Sequence, residues 1–198
     1  MPRPKGDHEA RRRDVSEAVW KVLTTRGFGG LTLRAIAAEL GATTGLLTHY
    51  FPSKRDLVAY ALALLTERTI ARPRRETGPG MAAVRNVLLH RLPLTDEARD
   101  INRIWVSSWD TALADPAISA DYETKYAQTR ENMRELIVAA QELGEFPDRD
   151  PARVAAGAIA FTTGLIVQAL FSPTAFPPHR LVELLDDYLD ALNAPLDR

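Results

Sequence analysis

The chain has 198 residues, of which 45% are hydrophobic, enough to bury a core, and no cysteine, which excludes disulfides and thiolate chemistry. No signal-peptide pattern opens it and no run of about 18 apolar residues stands out, so a soluble cytoplasmic protein without a membrane partner is expected. The net charge of −1 hides an asymmetry: residues 1–72 hold 12 Lys and Arg against 7 Asp and Glu, and residues 73–198 hold 13 against 19. A basic head on an acidic body fits a nucleic-acid contact confined to the head.

Residues 1–9 carry two prolines and a glycine and are expected to be mobile. Residues 1–13 form a basic arm with Arg3, Lys5 and the run Arg11-Arg12-Arg13. Such an arm lies along phosphates or in a minor groove, or is simply a solvated tail. A first helix is expected from about Glu9 to Thr25, with Val15, Ala18, Val19, Val22 and Leu23 on its buried stripe and Trp20 at its flank. Gly27 ends it and Phe28 packs back. Thr32 is placed to cap a short second helix whose Leu33, Ile36, Ala37 and Leu40 share one face. Arg34 lies in its first turn, and Gly41, free to take positive φ, stops it. Thr43 or Thr44 then caps a third helix that carries Leu47, Tyr50 and Phe51 inward and Thr44, Thr48 and His49 outward. Two short helices joined by a tight glycine turn describe a helix-turn-helix. The third helix has no acid at its start, where a DNA phosphate would complete it, and Gly45 removes a side chain where a backbone would come close.

Ser53-Lys54-Arg55-Asp56 opens a fourth helix with a capping-box pattern. Lys54 and Arg55 then sit where cations oppose the helix dipole by roughly 0.3–1 kcal/mol each. A phosphate docked on Lys54 accounts for that choice better than a solvated face. The helix continues through Leu57, Ala61, Leu64 and Leu65 toward Arg72. Pro73 and Thr77-Gly78-Pro79-Gly80 break the chain. A helix from about Met81 to Leu92 follows, and the next, capped by Thr95 or Asp96, carries Ile101, Ile104, Trp105, Ser108, Trp109 and Leu113. Asp115-Pro116 and Asp150-Pro151 each place a cap and a first-turn proline, starting helices that reach about Leu143 and Phe171. A last helix runs from about His179 to Leu192. With no strand pattern, the fold class is all-α with about nine helices.

The helix after Asp150 is apolar nearly all round, so it is expected to be buried on every side, with a second subunit covering one face. Gly157, Ala160 and Gly164 would allow close helix contact, and Leu181, Leu185 and Tyr188 lie on the apolar stripe of the last helix. Phe161 and Gln168 either join that contact or face a pocket; periodicity leaves both open.

Residues 10–60 resemble the N-terminal domain of TetR-type transcriptional repressors. The residues that carry the likeness are Ala18, Gly27, Phe28, Leu31-Thr32-Leu33, Ile36-Ala37, Gly41, Thr43, Gly45, Leu47, His49-Tyr50-Phe51, Ser53-Lys54 and Leu57. The family usually carries Tyr where this chain has Thr48. The resemblance implies that Arg34, Thr44, Thr48, His49 and Tyr50 face DNA, while Thr32, Thr43, Lys54 and the arm hold phosphates, with Gly45 giving room. Trp105 and Trp109, followed by Ala114-Asp115-Pro116, resemble the C-terminal domain of a subgroup that includes the repressors of choline-to-betaine synthesis. That likeness implies a small-ligand site drawn from Trp105, Ser108, Trp109, Phe161 and Gln168, where a cation would lie on indole faces; plain core packing is the alternative. It also implies a four-helix dimer contact through Gly157, Ala160, Gly164, Leu181, Leu185 and Tyr188.

The expected organisation is a helix-turn-helix DNA-binding domain at 1–56 and a helical ligand-binding and dimerisation domain at 57–198. The expected function is a repressor that holds a near-palindromic double-stranded DNA operator as a homodimer and is released by a small-molecule inducer. An activator on the same scaffold, or a protein-binding helix-turn-helix without DNA contact, are the alternatives. An enzyme is disfavoured: there is no Ser-His-Asp set at motif spacing, no glycine-rich phosphate loop and no HExxH. His8, His49, His90 and His179 are scattered, without metal-ligand spacing, so neither a metal nor a cofactor is expected.

Overall fold

The computed structural model describes residues 5–72 and 78–194. Among the described residues the chain is all-α, with ten α-helices, one 3-10 turn and no strand. Contacts divide it into two compact units. The first holds the described residues up to Arg72 together with Arg103–Ile118, and the second holds the described residues of 73–102 and those from Ser119 onward. This division differs from a cut at residue 56: the fourth helix stays with the head, and a later segment returns to it.

In the first unit α1 (Lys5–Arg26) leads through a 3-10 turn (Phe28–Gly30) to α2 (Leu33–Leu40), α3 (Thr44–Leu47) and α4 (Lys54–Ala71). α1 begins four residues earlier than expected, so residues 5–9 are helical rather than mobile; Arg3 and the Lys5 side chain lie outside the described residues. Val15, Val19, Val22 and Leu23 of α1 are buried with Ile36, Leu47, Phe51, Leu57 and Leu65. Leu47 is 0% exposed, so shortening it to Ala would cost about 2–5 kcal/mol.

Local chemistry sets the ends. The Thr32 hydroxyl accepts the Ala35 N–H at 3.1 Å and caps α2. Gly41 takes φ 61°, which lets the Ala42 N–H reach back to the Ala37 carbonyl at 2.9 Å. Ser53 and Asp56 close the capping box of α4 in both directions, at 3.2 and 3.0 Å.

The long helix expected around Trp105 is two helices, α6 (Asp96–Ser107) and α7 (Trp109–Ala114). Ser107 and Ser108 stand at the junction. Their hydroxyls donate to the Ile104 and Trp105 carbonyls at 2.9 and 2.6 Å, a local bonding that competes with the helix ladder. α6 starts in the second unit and ends in the first.

The second unit holds α5 (Met81–Arg91), the start of α6, most of α8 (Pro116–Glu142), α9 (Pro151–Phe171) and α10 (Pro178–Asn193). α5, α9 and α10 pack on one another. Val84, Leu88, Met133, Ile137, Ile159 and Leu185 are buried there. Asp115 and Asp150 cap α8 and α9 as their spacing predicts, each accepting the N–H two residues on at 2.9 Å. α5 is capped from afar. The Glu145 carboxylate accepts the Met81 N–H at 2.9 Å, beside Gly80 at φ +67°, where a Cβ would strike that carboxylate. Contrary to expectation, one helix among the described residues, α9, is long and apolar enough to cross a membrane by length and composition. The same length and composition describe a core helix, and α9 packs on α5 and α10.

Candidate functional site

The helix-turn-helix presents one polar, unobstructed face. Thr32, Arg34, Thr43, Thr44, Gly45, Thr48, His49 and Lys54 are all exposed, and no acidic side chain falls among them. α2 and α3 hold this face in place through Ile36 and Leu47, both at 0% exposure. Thr32 spends one lone pair on its own helix cap. Thr43 stands at the cap position of α3 but makes no side-chain cap bond, so its hydroxyl stays available. Thr48 donates to the Gly45 carbonyl at 2.8 Å, which orients its methyl and oxygen on the surface.

One position and the length of one helix call for comment. Tyr50, inward by periodicity and facing DNA by resemblance, is half-buried. It lines a hollow of about 300 Å³ with Arg12, Val15, Phe51 and Tyr60, so its ring supports the head as much as it faces outward. α3 spans only four residues, too short for much of a macrodipole, so the exposed hydroxyls and cations carry the anion-binding capacity of this face. Lys54 and Arg55 also line a cleft of about 360 Å³ with Val58, Asp110, Thr111, Ala114, Asp115 and Ile118.

The five residues expected around a ligand fall into two sets. Trp105, Ser108 and Trp109 belong to the first unit, and Phe161 and Gln168 to the second. The Trp105 indole N–H donates to the Thr69 hydroxyl at 3.2 Å. Ser108 is buried at 1% exposure, and the Trp109 Nε1 is buried without an acceptor. Phe161 stacks on Tyr188 with ring centres 4.1 Å apart, and Gln168 is exposed.

The expected dimer residues also divide. Leu181 and Leu185 are buried inside the protomer at 1% and 0% exposure, so they belong to its own core and not to a subunit contact. Ala160 and Gly164 are exposed, and Gly157 and Tyr188 are half-buried. A Cβ on Gly157 would stand 3.1 Å from the Tyr188 hydroxyl, so this glycine also makes room for the aromatic stack. The face continues to Gln168 and Phe171, which is 79% exposed.

Two further residues matter that no sequence pattern singles out. Ser107 accepts the Phe28 N–H at 3.3 Å, and Arg91 carries a buried Nε without an acceptor. Ser107 stands in no motif. Arg91 follows His90 in a last helical turn, where a cation is ordinary.

A family model described as BetI-type transcriptional repressor, C-terminal, matches residues 80–194, more than half of the chain, and one described as bacterial regulatory proteins, tetR family, matches residues 17–61. The chain belongs to the TetR family. Like other TetR-family members it is a DNA-binding transcriptional regulator and not an enzyme. It is 28% identical to the HTH-type transcriptional regulator PksA of Bacillus subtilis, over 94% of this chain and 91% of that protein. It is 24% identical to the HTH-type transcriptional regulator BetI of Paraburkholderia phymatum, over 96% of each. Among solved structures, a putative transcriptional regulator from Saccharomonospora viridis in complex with choline has the same fold. Its TM-score is 0.81 at 24% identity, over 92% of this chain and 96% of that one. A TetR transcription regulator from Haloarcula marismortui superposes with a TM-score of 0.80 at 22% identity, over 94% and 100%.

Proposed function

We propose that this TetR-family chain is a repressor that binds a near-palindromic operator as a homodimer and releases it when a small molecule enters the helical body. The observation that carries the reading is the face built by Thr32, Arg34, Thr44, Thr48, His49 and Lys54, which is exposed and rich in donors. Lys54, with Thr32 and Thr43, holds phosphates and sets the register; Arg34, Thr44, Thr48 and His49 meet base edges. Thr48 takes a place where the family usually has a larger phenol, so it reaches less far into the groove.

A two-fold dimer places its two heads in major grooves about 34 Å apart, one helical turn of the duplex. The exposed line Ala160, Gly164, Gln168 and Phe171 on α9 supports the pairing, because small residues at that spacing let two helices approach closely. The effector acts by preferring one separation of the heads, and its leverage equals its difference in affinity for the two states. One structural neighbour holds choline, so choline is one candidate effector. The protein works in the cytoplasm, where the operator is.

Fluorescence anisotropy with duplexes from the upstream region of its own gene tests this. Two chains per duplex, steep loss of affinity with salt, and higher output of a reporter when the gene is deleted are the expected results. Indifference to all such duplexes at low salt would sink the reading, and lower reporter output on deletion would make it an activator.

A further inference from the structure

The second unit contains a cation that none of its described residues neutralises. Arg91 occupies the last turn of α5, and its Nε is buried with no hydrogen-bond acceptor. Among the described residues no carboxylate is paired with it. Burial pulls its pKa below the usual guanidinium value, and the one ionisable group pulling the other way is the Tyr126 phenol of α8. Arg85, on the same helix, behaves in the opposite way. Its Nε and a terminal nitrogen donate to the Asp186 carboxylate at 2.6 and 2.8 Å, and that pairing raises its pKa. The backbone under Arg91 is fixed: buried Asn102 of α6 donates its amide N–H to the Arg91 carbonyl at 3.0 Å. Two helices, α5 and α6, thus set the place of one charged group, and among the described residues neither supplies it a counter-charge. Arg91 as a whole is half-buried, so the cost falls on its covered Nε, which an added acceptor would relieve.

We propose that Arg91 is the anchor for an effector carrying a single carboxylate, held by the guanidinium. This rests on the reading that the body binds a small-molecule effector, and it names that molecule's chemical class. A planar guanidinium matches a carboxylate with two parallel hydrogen bonds. One negative charge balances the one cation, whereas a phosphate dianion would bring a surplus charge beside the covered Nε. A quaternary ammonium such as choline would set a second cation beside the first.

The test uses the full-length protein and three probe series: linear monocarboxylates from butyrate to decanoate, primary alcohols of the same lengths, and choline with alkyltrimethylammonium ions. Thermal shift and calorimetry report binding, and anisotropy on a promoter duplex is run on the same samples. At least one carboxylate is expected to raise Tm and bind at least tenfold tighter than its alcohol and than every ammonium ion. Arg91→Met is expected to remove that preference and Arg91→Lys to keep part of it. Tighter binding of any ammonium probe, no binding of any carboxylate, or a carboxylate affinity within twofold in Arg91→Met would overturn the proposal. If Arg91→Met does not fold, the ranking of probes on the unaltered protein decides alone. Duplex binding that persists while the carboxylates fail sinks only the effector class; loss of duplex binding by the unaltered protein sinks the repressor reading.

Discussion

The Ser107 hydroxyl accepts the Phe28 backbone N–H at 3.3 Å while donating to the Ile104 carbonyl at 2.9 Å. One side chain at the end of α6 therefore holds the turn between α1 and α2. Gly27 stands against it at φ +64°, and a Cβ there would lie 3.2 Å from the Ser107 oxygen. Gly27→Ala is expected to destabilise the head by about 1–3 kcal/mol, because the left-handed backbone and the close approach both penalise a side chain. Ser107→Ala leaves the Phe28 N–H without its acceptor and is expected to cost about 1 kcal/mol. Urea unfolding of both variants measures this, and a Ser107→Ala protein as stable as the parent would show that the bond contributes nothing.

Lys54 is exposed in the first turn of α4, where it works against the helix dipole and bonds no carboxylate in the capping box. Lys54→Ala is therefore expected to leave folding intact and weaken binding to operator and random duplex alike. The slope of log affinity against log salt should flatten by about 0.9 for each phosphate that is no longer neutralised. An unchanged slope would remove Lys54 from the interface.

Thr44 is exposed, and its backbone carbonyl accepts the Thr48 N–H at 3.2 Å, so its side chain is not needed to keep α3 folded. Thr44→Ala is expected to alter base preference at one position per half-site by about 1–3 kcal/mol with little effect on non-specific affinity. Equal losses on operator and random duplex would contradict a base contact.

Ala160 lies on the exposed side of α9, one turn from Gly164. Ala160→Glu puts a carboxylate where two copies of this helix would touch and is expected to convert dimer to monomer by sedimentation, with melting of the single chain unchanged. Operator affinity should fall with it, since one head alone holds only a half-site. A variant that stays dimeric would place the subunit contact elsewhere.

Much of the scaffold is legible in residues whose chemistry acts within a turn or two. The Thr32 cap, the Gly41 stop, the Ser53–Asp56 box and the two Asp-Pro starts all stand where their spacing puts them, because each depends on neighbours already adjacent in sequence. The exposed helix-turn-helix face follows from the same local periodicity. What stays hidden depends on distance or on competition. The junction of α6 and α7 falls at Ser107 and Ser108 without glycine or proline, where both hydroxyls turn onto the carbonyls three residues back. The stripe of Leu181 and Leu185 is apolar as expected, but periodicity says which face is covered and not whether the cover is the same chain or another; here it is the same chain. Arg91 reads as an ordinary helix-ending cation until the burial of its Nε is known.

The head is not a continuous stretch of polypeptide. α1 to α4 are completed by Arg103–Ile118, which carries the Ser107 hydroxyl for Phe28 and the Trp105 indole for Thr69. On the ribosome the reading head must therefore wait for α5 and α6 to emerge before it can finish folding. An engineer who wishes to transplant operator specificity between relatives has to graft two pieces at once; splicing at Arg72 alone would carry the address and leave behind its latch.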